Sequence, residues 1–178
     1  YEEIWETILI AEVLLTLKYE KLFPFVRKAI DWLVERQSSD GSWIGPRYTG
    51  MMTSLLLKAE QALNEDFSPY TRRAIEWIKS DLEKREIWTN AAWSNSYPLM
   101  ALTDAGSNIG DQDVAKAVSW FLSTQDVDGK WLQVAWVDDT AMAMICLARL
   151  LKSPLLPLSV EMPTRATVSV SKADSKYI

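Results

Sequence analysis

Three copies of one short pattern run through this sequence, and their regular spacing restricts the fold more than any other feature. The copies are Ala29-Ile-Asp-Trp-Leu, Ala74-Ile-Glu-Trp-Ile and Ala117-Val-Ser-Trp-Phe, and they close at Trp43, Trp88 and Trp131. Each copy spans 15 residues from its alanine to its closing tryptophan, and the copies start 45 and 43 residues apart. Such spacing is typical of stacked repeat units that share one continuous core.

Each repeat is predicted to be a pair of helices. Apolar residues recur at helical spacing within each copy, for example across residues 114–122, which indicates an amphipathic helix. A second apolar helix follows each closing tryptophan, and we expect Thr53, Ser96 and Thr140 to open these helices. An unpaired helix over about residues 2–18 completes the pattern. The sequence therefore predicts an all-α repeat fold with about seven helices.

The repeat pattern also predicts the domain boundaries. It stops after Lys152, where three prolines and a polar alternation begin. We expect a helical repeat domain over residues 1–152 and an extended or poorly ordered tail over residues 153–178. The chain begins at Tyr1 inside a helical pattern, which indicates a piece of a longer protein.

Composition excludes several classes of function. The 178 residues, 48% of them hydrophobic, suit one domain with a sizeable core. A net charge of −5 without a basic stretch argues against a nucleic-acid partner. A single cysteine, Cys146, excludes an internal disulfide and a cysteine-built zinc site, and no histidine is present to act as a base or a metal ligand. No apolar run has the length of a membrane span, and no signal-peptide pattern opens the chain, so we expect a cytoplasmic protein.

Acidic residues beside glycine invite a metal hypothesis that the sequence does not support. Asp40 and Asp128 precede glycine, and Asp111 and Asp113 follow Gly110. Aspartate is favoured in such turns because it bonds the local backbone. We therefore predict neither a metal site nor a cofactor.

Three seven-residue segments carry two motifs with a specific family resemblance. Residues 37–43 and 125–131 both contain Gln, Asp, Gly and Trp in the same order, whereas the middle copy keeps only the tryptophan. They resemble the QW motif of the squalene, hopene and oxidosqualene cyclases. Residues 137–143, Val-Asp-Asp-Thr-Ala-Met-Ala, resemble the Asp-x-Asp-Asp-Thr-Ala signature of class II terpene cyclases. The resemblance covers about residues 4–151 and implies a ring of paired helices, an α/α toroid.

The QW-like residues are expected to be structural. A glutamine near a helix C-terminus can bond exposed carbonyl groups, glycine permits the turn, and an indole can pack across to the next repeat. The resemblance implies the same bracing role. We assign this role to Gln37, Trp43, Gln125 and Trp131.

Asp138 and Asp139 are the candidate catalytic residues, and this role comes from the resemblance. In the family, the middle aspartate of the signature is the Brønsted acid that protonates an alkene or epoxide. That position is Asp138 here, and Asp139 would tune it. The sequence departs from the family because Trp136 replaces the first aspartate and no histidine can partner the acid. The alternative is that Asp138, Asp139 and Thr140 merely cap an apolar helix.

Aromatic residues outside the repeat position are candidates for a substrate cavity. Ring faces attract a carbocation without offering it a base or a nucleophile. The residues that we expect around such a cavity are Trp5, Trp88, Trp93, Tyr97 and Trp136. The tryptophans that recur at one repeat position are expected in the core between units: Trp32, Trp77 and Trp120.

The resemblance implies a class II terpene cyclase, or a domain of one, that cyclises a polyisoprenoid substrate after protonating it. The alternative is a non-catalytic helical-repeat module that binds an isoprenoid or a protein partner. The family's full toroid has about twice as many helices, so we expect either a longer chain or a homo-oligomer to complete the ring. Peripheral contact with a membrane is left open. Without histidine, the zinc-dependent protein prenyltransferases of this fold are disfavoured.

Overall fold

A computed structural model describes residues 2–131 and 137–151, except for the side chains of Glu2, Val137 and Asp138. Within these residues the chain forms seven α-helices, one short 3-10 helix and no strand. The α-helices are α1 (Glu2–Thr16), α2 (Phe23–Val34), α3 (Pro46–Leu63), α4 (Ser68–Glu83), α5 (Ala92–Asp104), α6 (Gln112–Thr124) and α7 (Val137–Leu151). The predicted fold class, an all-α toroid-type repeat of helix pairs, is confirmed.

The helices form an inner and an outer row. Helices α1, α3, α5 and α7 pack against one another in that order. The packing is most extensive between α3 and α5 and between α5 and α7. Helices α2, α4 and α6 pack outside this row. The outer helices are amphipathic because their apolar residues recur at helical spacing; α2, for instance, buries Val26, Ile30 and Leu33. Helix α5 has neighbours on more sides and buries most of its residues.

The prediction that Thr53 and Ser96 open the inner helices is wrong. Helix α3 begins at Pro46 and α5 begins at Ala92, so both hydroxyl residues lie inside helices. The Thr53 hydroxyl donates to the carbonyl of Thr49 at 2.7 Å, one turn earlier. Proline suits the first turn of a helix because it lacks the N–H that would be unpaired there. Thr140 does lie in the first turn of α7.

Gly50 lies inside α3, although glycine usually weakens a helix. A glycine is needed here because α3 packs very closely against α5. A Cβ atom at this position would lie 2.5 Å from the backbone nitrogen of Pro98 and 2.5 Å from the carbonyl carbon of Tyr97. Pro98 lies inside α5. Two helix backbones therefore touch at a glycine and a proline, and no side chain separates them.

The predicted N-terminal helix is confirmed, and α1 ends at Thr16. The predicted tail, residues 153–178, lies outside the described residues, so the domain boundary stays a prediction. In the described part of the chain, none of the helices combines the length and the apolar character needed to cross a membrane.

Candidate functional site

The three closing tryptophans hold equivalent corners between an outer helix and the inner helix that follows it. We call residues 37–43, 82–88 and 125–131 the first, middle and third corners. The indole N–H of Trp43 donates to the carbonyl of Leu33 at 2.8 Å, and that of Trp131 donates to Phe121 at 2.7 Å. Trp88 makes the matching bond to Ile78 at 2.9 Å. Each indole thus bonds a carbonyl of the outer helix of its own repeat and ties the corner to that helix.

Trp88 was predicted both as a closing tryptophan and as a cavity residue. Its side chain is 2% exposed and belongs to the core. The structure therefore places it with Trp43 and Trp131 in the corners.

Polar side chains of the inner helices fix the backbone of each corner. The backbone N–H of Trp43 donates to the Thr49 hydroxyl at 2.9 Å, and that of Trp131 donates to the Thr140 hydroxyl at 3.0 Å. At the middle corner the amide oxygen of Asn95 accepts instead from the backbone N–H of Thr89, the residue after Trp88, at 2.8 Å. Thr140, which belongs to the Asp-Asp-Thr-Ala segment, therefore holds the backbone of the third corner in place.

Gln37 connects the first corner to the next repeat. Its amide group donates to the carbonyl of Gly41 at 2.9 Å and to the carbonyl of Tyr70 on α4 at 3.0 Å. Its amide oxygen accepts from the Arg73 guanidinium. Gln125, its counterpart in the third corner, donates to Gly129 at 2.8 Å. The glutamine of the first corner therefore bridges two repeats. Among the described residues, the glutamine of the third corner bonds only its own corner.

Asp40 also binds the next repeat, and both of its carboxylate oxygens have hydrogen-bond partners within the protein. One carboxylate oxygen accepts from the Ser42 backbone and hydroxyl, at 3.0 and 2.8 Å, and the other accepts from the indole N–H of Trp77 at 3.0 Å. The Ser42 bonds, with a smaller contribution from Trp77, lower the pKa of Asp40 below its usual value. This aspartate therefore stabilises the turn and the contact with α4.

Aromatic side chains from three inner helices meet at one rim of the inner row. The rings of Trp5 and Tyr97 lie edge to face with centroids 6.2 Å apart. The Arg47 guanidinium carbon lies 5.0 Å from the Trp5 ring centre, 4.5 Å from that of Trp93 and 4.2 Å from that of Tyr48. We call these five residues the rim cluster. Three predicted cavity residues, Trp5, Trp93 and Tyr97, are thus brought together.

Asp139 joins α7 to this rim. Its side chain is fully buried, and one carboxylate oxygen accepts from the backbone N–H of Trp93 at 2.9 Å. That N–H belongs to the first turn of α5, where the helix itself supplies no acceptor, and Ala91 at the N-cap makes no side-chain cap. Asp139 therefore caps a neighbouring helix. Its second oxygen is buried and has no hydrogen-bond partner among the described residues.

The first turns of the inner helices consequently lie together. Trp5, Arg47, Trp93 and Asp139 come from α1, α3, α5 and α7 respectively, each near the start of its helix. The partial positive charges of these helix ends favour a carboxylate at the rim. The side chain of Asp138 and the whole of Trp136 lie outside the described residues, so their predicted roles stay predictions.

An apolar groove runs along the inner row beside the rim cluster. It has a volume of about 210 Å³ and is lined from all four inner helices by Leu9, Glu12, Met51, Ser54, Tyr97, Met100, Met142, Ile145 and Arg149. Tyr97 belongs to both the groove and the rim cluster. A larger cavity of about 480 Å³ lies beside Leu15 and Lys58, towards the other ends of α1 and α3.

The aspartates considered for a metal have local partners. Asp111 accepts from the Asn108 backbone at 2.8 Å, and Asp113 lies 4.0 Å from the Lys79 ammonium. Asp128 lies 3.2 Å from the Lys130 ammonium. Within residues 2–131 and 137–151, no three acidic or cysteine side chains converge as a metal site would require.

Sequence reasoning missed Arg47 and Tyr48 in the rim cluster, and Thr49 and Asn95 in the corners. Arg47 contacts aromatic rings from three separate helices, so no local pattern marks it. Thr49 and Asn95 lie six residues after Trp43 and Thr89, the residues whose backbone they bond. Their distance from the closing tryptophan differs between repeats, because Asn95 lies seven residues after Trp88 and Thr140 lies nine residues after Trp131, so no fixed spacing marks them.

The chain matches a known family and is similar to a known protein. The family model described as the squalene-hopene cyclase C-terminal domain matches residues 6–98, from α1 into α5 and short of Asp139. A terpene cyclase–glycosyl transferase fusion protein of Humicola fuscoatra is 30% identical over 115 residues. That alignment covers 56% of this chain and 8% of the relative, so the chain matches a small part of that protein.

Proposed function

Because the chain belongs to the squalene-hopene cyclase C-terminal domain family, we propose that it forms part of a class II terpene cyclase. The reaction is protonation-initiated cyclisation of a polyprenyl substrate. The observation that supports this proposal best is the rim, where the buried Asp139 of α7 bonds the first turn of α5 beside the aromatic cluster and next to the apolar groove.

Asp138 is the acid in this proposal. Its carboxyl proton adds to a terminal alkene carbon or to an epoxide oxygen of the substrate, which leaves an Asp138 carboxylate and a carbocation. Loss of a proton from the cyclised cation to solvent or a base ends the reaction, and Asp138 regains a proton from water. Asp139, which follows Asp138 in the sequence and is held in place by its bond to the Trp93 N–H, tunes the acid in this proposal.

The rim cluster supplies aromatic ring faces, which a cationic intermediate requires as neighbours. The faces of Trp5, Tyr48 and Trp93 already accept a positive charge, the Arg47 guanidinium. Aromatic faces attract cations by about 0.5–2 kcal/mol each and offer no base that would end the cascade early. Because the Arg47 guanidinium repels a second positive charge, the proposal requires the carbocation to lie on ring faces turned away from Arg47, where it is stabilised and kept from early deprotonation.

The groove is too small to hold a complete substrate. Pockets for small molecules typically enclose about 300–1,000 Å³, whereas this groove has about 210 Å³. We infer that the inner row supplies one wall, and that the opposite wall comes from a further domain of a longer chain or from another subunit.

The test is product analysis by gas chromatography and mass spectrometry after incubation with polyprenyl substrates, both neutral polyenes and diphosphates. Because the inner row supplies one wall, the assay uses the longest polypeptide that contains this sequence. Asp138→Asn should abolish the cyclised product while circular dichroism stays unchanged. Asp113→Asn, on outer helix α6, is the matched control and should leave product formation intact. Normal cyclisation by Asp138→Asn would refute the assignment.

A non-catalytic repeat module remains the second candidate, and the exposed third corner favours it because it offers a surface for a protein. In that case Asp138 and Asp139 only stabilise helix ends. No polyprenyl compound would then be cyclised, and Asp138→Asn, which is itself a good helix cap, would bind partners like the wild type.

A further inference from the structure

The larger of the two cavities, at the C-terminal ends of α1 and α3, has the size and the lining of a small-molecule site. We call it the end cleft. Its volume is about 480 Å³, and sites for small molecules typically enclose about 300–1,000 Å³. Its lining combines apolar side chains with charged ones: Leu15, Phe23 and Ala62, and Lys18, Glu20 and Lys58. The end cleft can therefore hold a molecule that is apolar at one end and polar at the other.

The end cleft is separate from the groove beside the rim. The two share no lining residue. Glu12 of α1 lines the groove, Lys58 of α3 lines the end cleft, and these two side chains form an ion pair between the helices. An ammonium group has three N–H donors, so Lys58 keeps donors for a ligand in the end cleft. A ligand bound there lies outside the site proposed for cyclisation.

The backbone of Lys18 has a conformation that does not suit lysine. Its φ angle is +52°, in the left-handed region that is unfavourable for residues with a Cβ atom. Each of α1, α3 and α5 is followed by such a residue, namely Lys18, Asn64 with φ +54° and Gly106 with φ +95°. Glycine and asparagine are the usual residues in this conformation after a helix. The lysine after α1 therefore indicates that its side chain contributes something that asparagine or glycine could not.

Two roles for the Lys18 ammonium can be distinguished. An ammonium just beyond a helix C-terminus interacts favourably with the partial negative charge of the helix end, and this role needs no cavity. The second role is contact with a ligand, because Lys18 lines the end cleft. Among the described residues Lys18 forms no ion pair, and neither does Glu20. The lining thus presents an ammonium that no carboxylate of the described chain neutralises directly.

The charges around the end cleft limit the charge of its ligand. Lys58 shares its charge with Glu12, so Lys18 supplies the principal positive charge. Glu20 lines the same space and disfavours a second negative charge there. A head group with one negative charge therefore fits better than a phosphate monoester, which carries nearly two at neutral pH.

We propose that the end cleft binds an amphipathic carboxylate, a molecule with one carboxylate head on an apolar chain. The carboxylate accepts from the ammonium groups of Lys18 and Lys58. The chain packs against Leu15, Phe23 and Ala62. This site is additional to the groove, and its existence does not depend on the proposed cyclisation.

The test is a titration of the full, isotope-labelled chain with decanoate below the concentration at which it forms micelles, followed by nuclear magnetic resonance. We expect chemical shift changes at residues 15–23 and 58–62. Decanol has the same chain without the charge and should bind about tenfold more weakly, because it loses the charge-assisted hydrogen bonds. Acetate, the head without the chain, should cause no change.

Three results would overturn the proposal. The first is no change at millimolar decanoate, or changes confined to the groove. The second is decanol binding as tightly as decanoate, which would leave the head group without a role. The third is decyl phosphate binding more tightly than decanoate, which would contradict the preference for a single negative charge.

A matched pair of lysine variants separates ligand contact from a purely structural role. Lys18→Asn introduces the residue type that follows α3 at nearly the same φ angle. It should melt no lower than the wild type, while its dissociation constant for decanoate rises about tenfold. Lys21→Asn removes the same charge from an exposed residue outside the lining and should bind like the wild type. Equal affinities of the two variants, or a lower melting temperature of Lys18→Asn with unchanged affinity, would refute ligand contact by Lys18.

Discussion

Replacement of Gly50 by alanine should destabilise the protein, although alanine is the better helix former. The new Cβ atom would lie 2.5 Å from Pro98 N, 2.5 Å from Tyr97 C and 2.7 Å from Tyr97 O. All three are backbone atoms, so no side chain can rotate away. An ordinary contact needs about 3.4 Å, so α3 and α5 must separate by about 0.9 Å where their backbones touch.

The magnitude follows from two opposing effects. Overpacking of a well-packed core costs about 1–3 kcal/mol, and the rigid contact places Gly50→Ala near the upper value. Higher helix propensity returns about 0.5–1 kcal/mol. We therefore expect a net loss of about 2 kcal/mol in the free energy of unfolding. For a chain of this size, that loss lowers the melting temperature by about 4–8 °C.

Thermal and urea unfolding, followed by circular dichroism, would measure this effect. Gly45→Ala is the matched control, because Gly45 has an extended φ of 164° and nothing within 4 Å of its Cβ position. That variant should unfold like the wild type. The reasoning about backbone contact would be refuted if Gly50→Ala were as stable as Gly45→Ala or more so.

Further predictions follow from the corners and from the buried thiol. Gln37→Ala should cost about 1–2 kcal/mol more than Gln125→Ala in urea unfolding, because Gln37 bonds the next repeat, whereas Gln125 bonds only its own corner among the described residues; equal costs would contradict the bridging role. Trp88→Phe removes the N–H that pairs with the buried carbonyl of Ile78 and should cost about 1–3 kcal/mol; unchanged unfolding would contradict that bond. Burial raises the pKa of the Cys146 thiol from 9.0 to about 12. The raised value applies to the folded state, so stability from the neutral thiol is complete below pH 9 and is lost as the pH rises towards 12. Wild-type protein should therefore lose more stability than Cys146→Ala between pH 8 and pH 10, and parallel curves would refute this.

The sequence predicted the helices and their pairing because both depend on local periodicity. Residues such as Val26, Ile30 and Leu33 recur at helical spacing and face one core, so the pattern directly reports the buried face. The helix starts were less predictable. Gly50 looks like a breaker in isolation, and only the backbone of α5 beside it explains why a glycine lies within α3.

The rim was predictable only in part. Trp5, Trp93 and Tyr97 were chosen as aromatic residues outside the repeat position, and the structure brings them together. Asp139 was chosen from the family signature, but its bond to Trp93, 46 residues away, depends on how α5 and α7 pack. Sequence patterns report which face of a helix is buried, whereas contacts between repeats depend on the spacing and rotation of neighbouring helices.

The origin of the first proton tests the central claim most directly. The polypeptide would be incubated with a polyprenyl substrate in deuterium oxide, after the Asp138 carboxyl has exchanged its proton with solvent, and the product analysed by mass spectrometry. With an alkene substrate, protonation by Asp138 predicts one deuterium atom in the cyclised product, bound to the carbon attacked first, and a product mass increased by about one unit, since the proton lost at the end comes from the substrate. A deuterium atom on an oxygen would exchange with water, so the substrate must not be an epoxide. A cyclised product without deuterium at that position would contradict protonation as the initiating step.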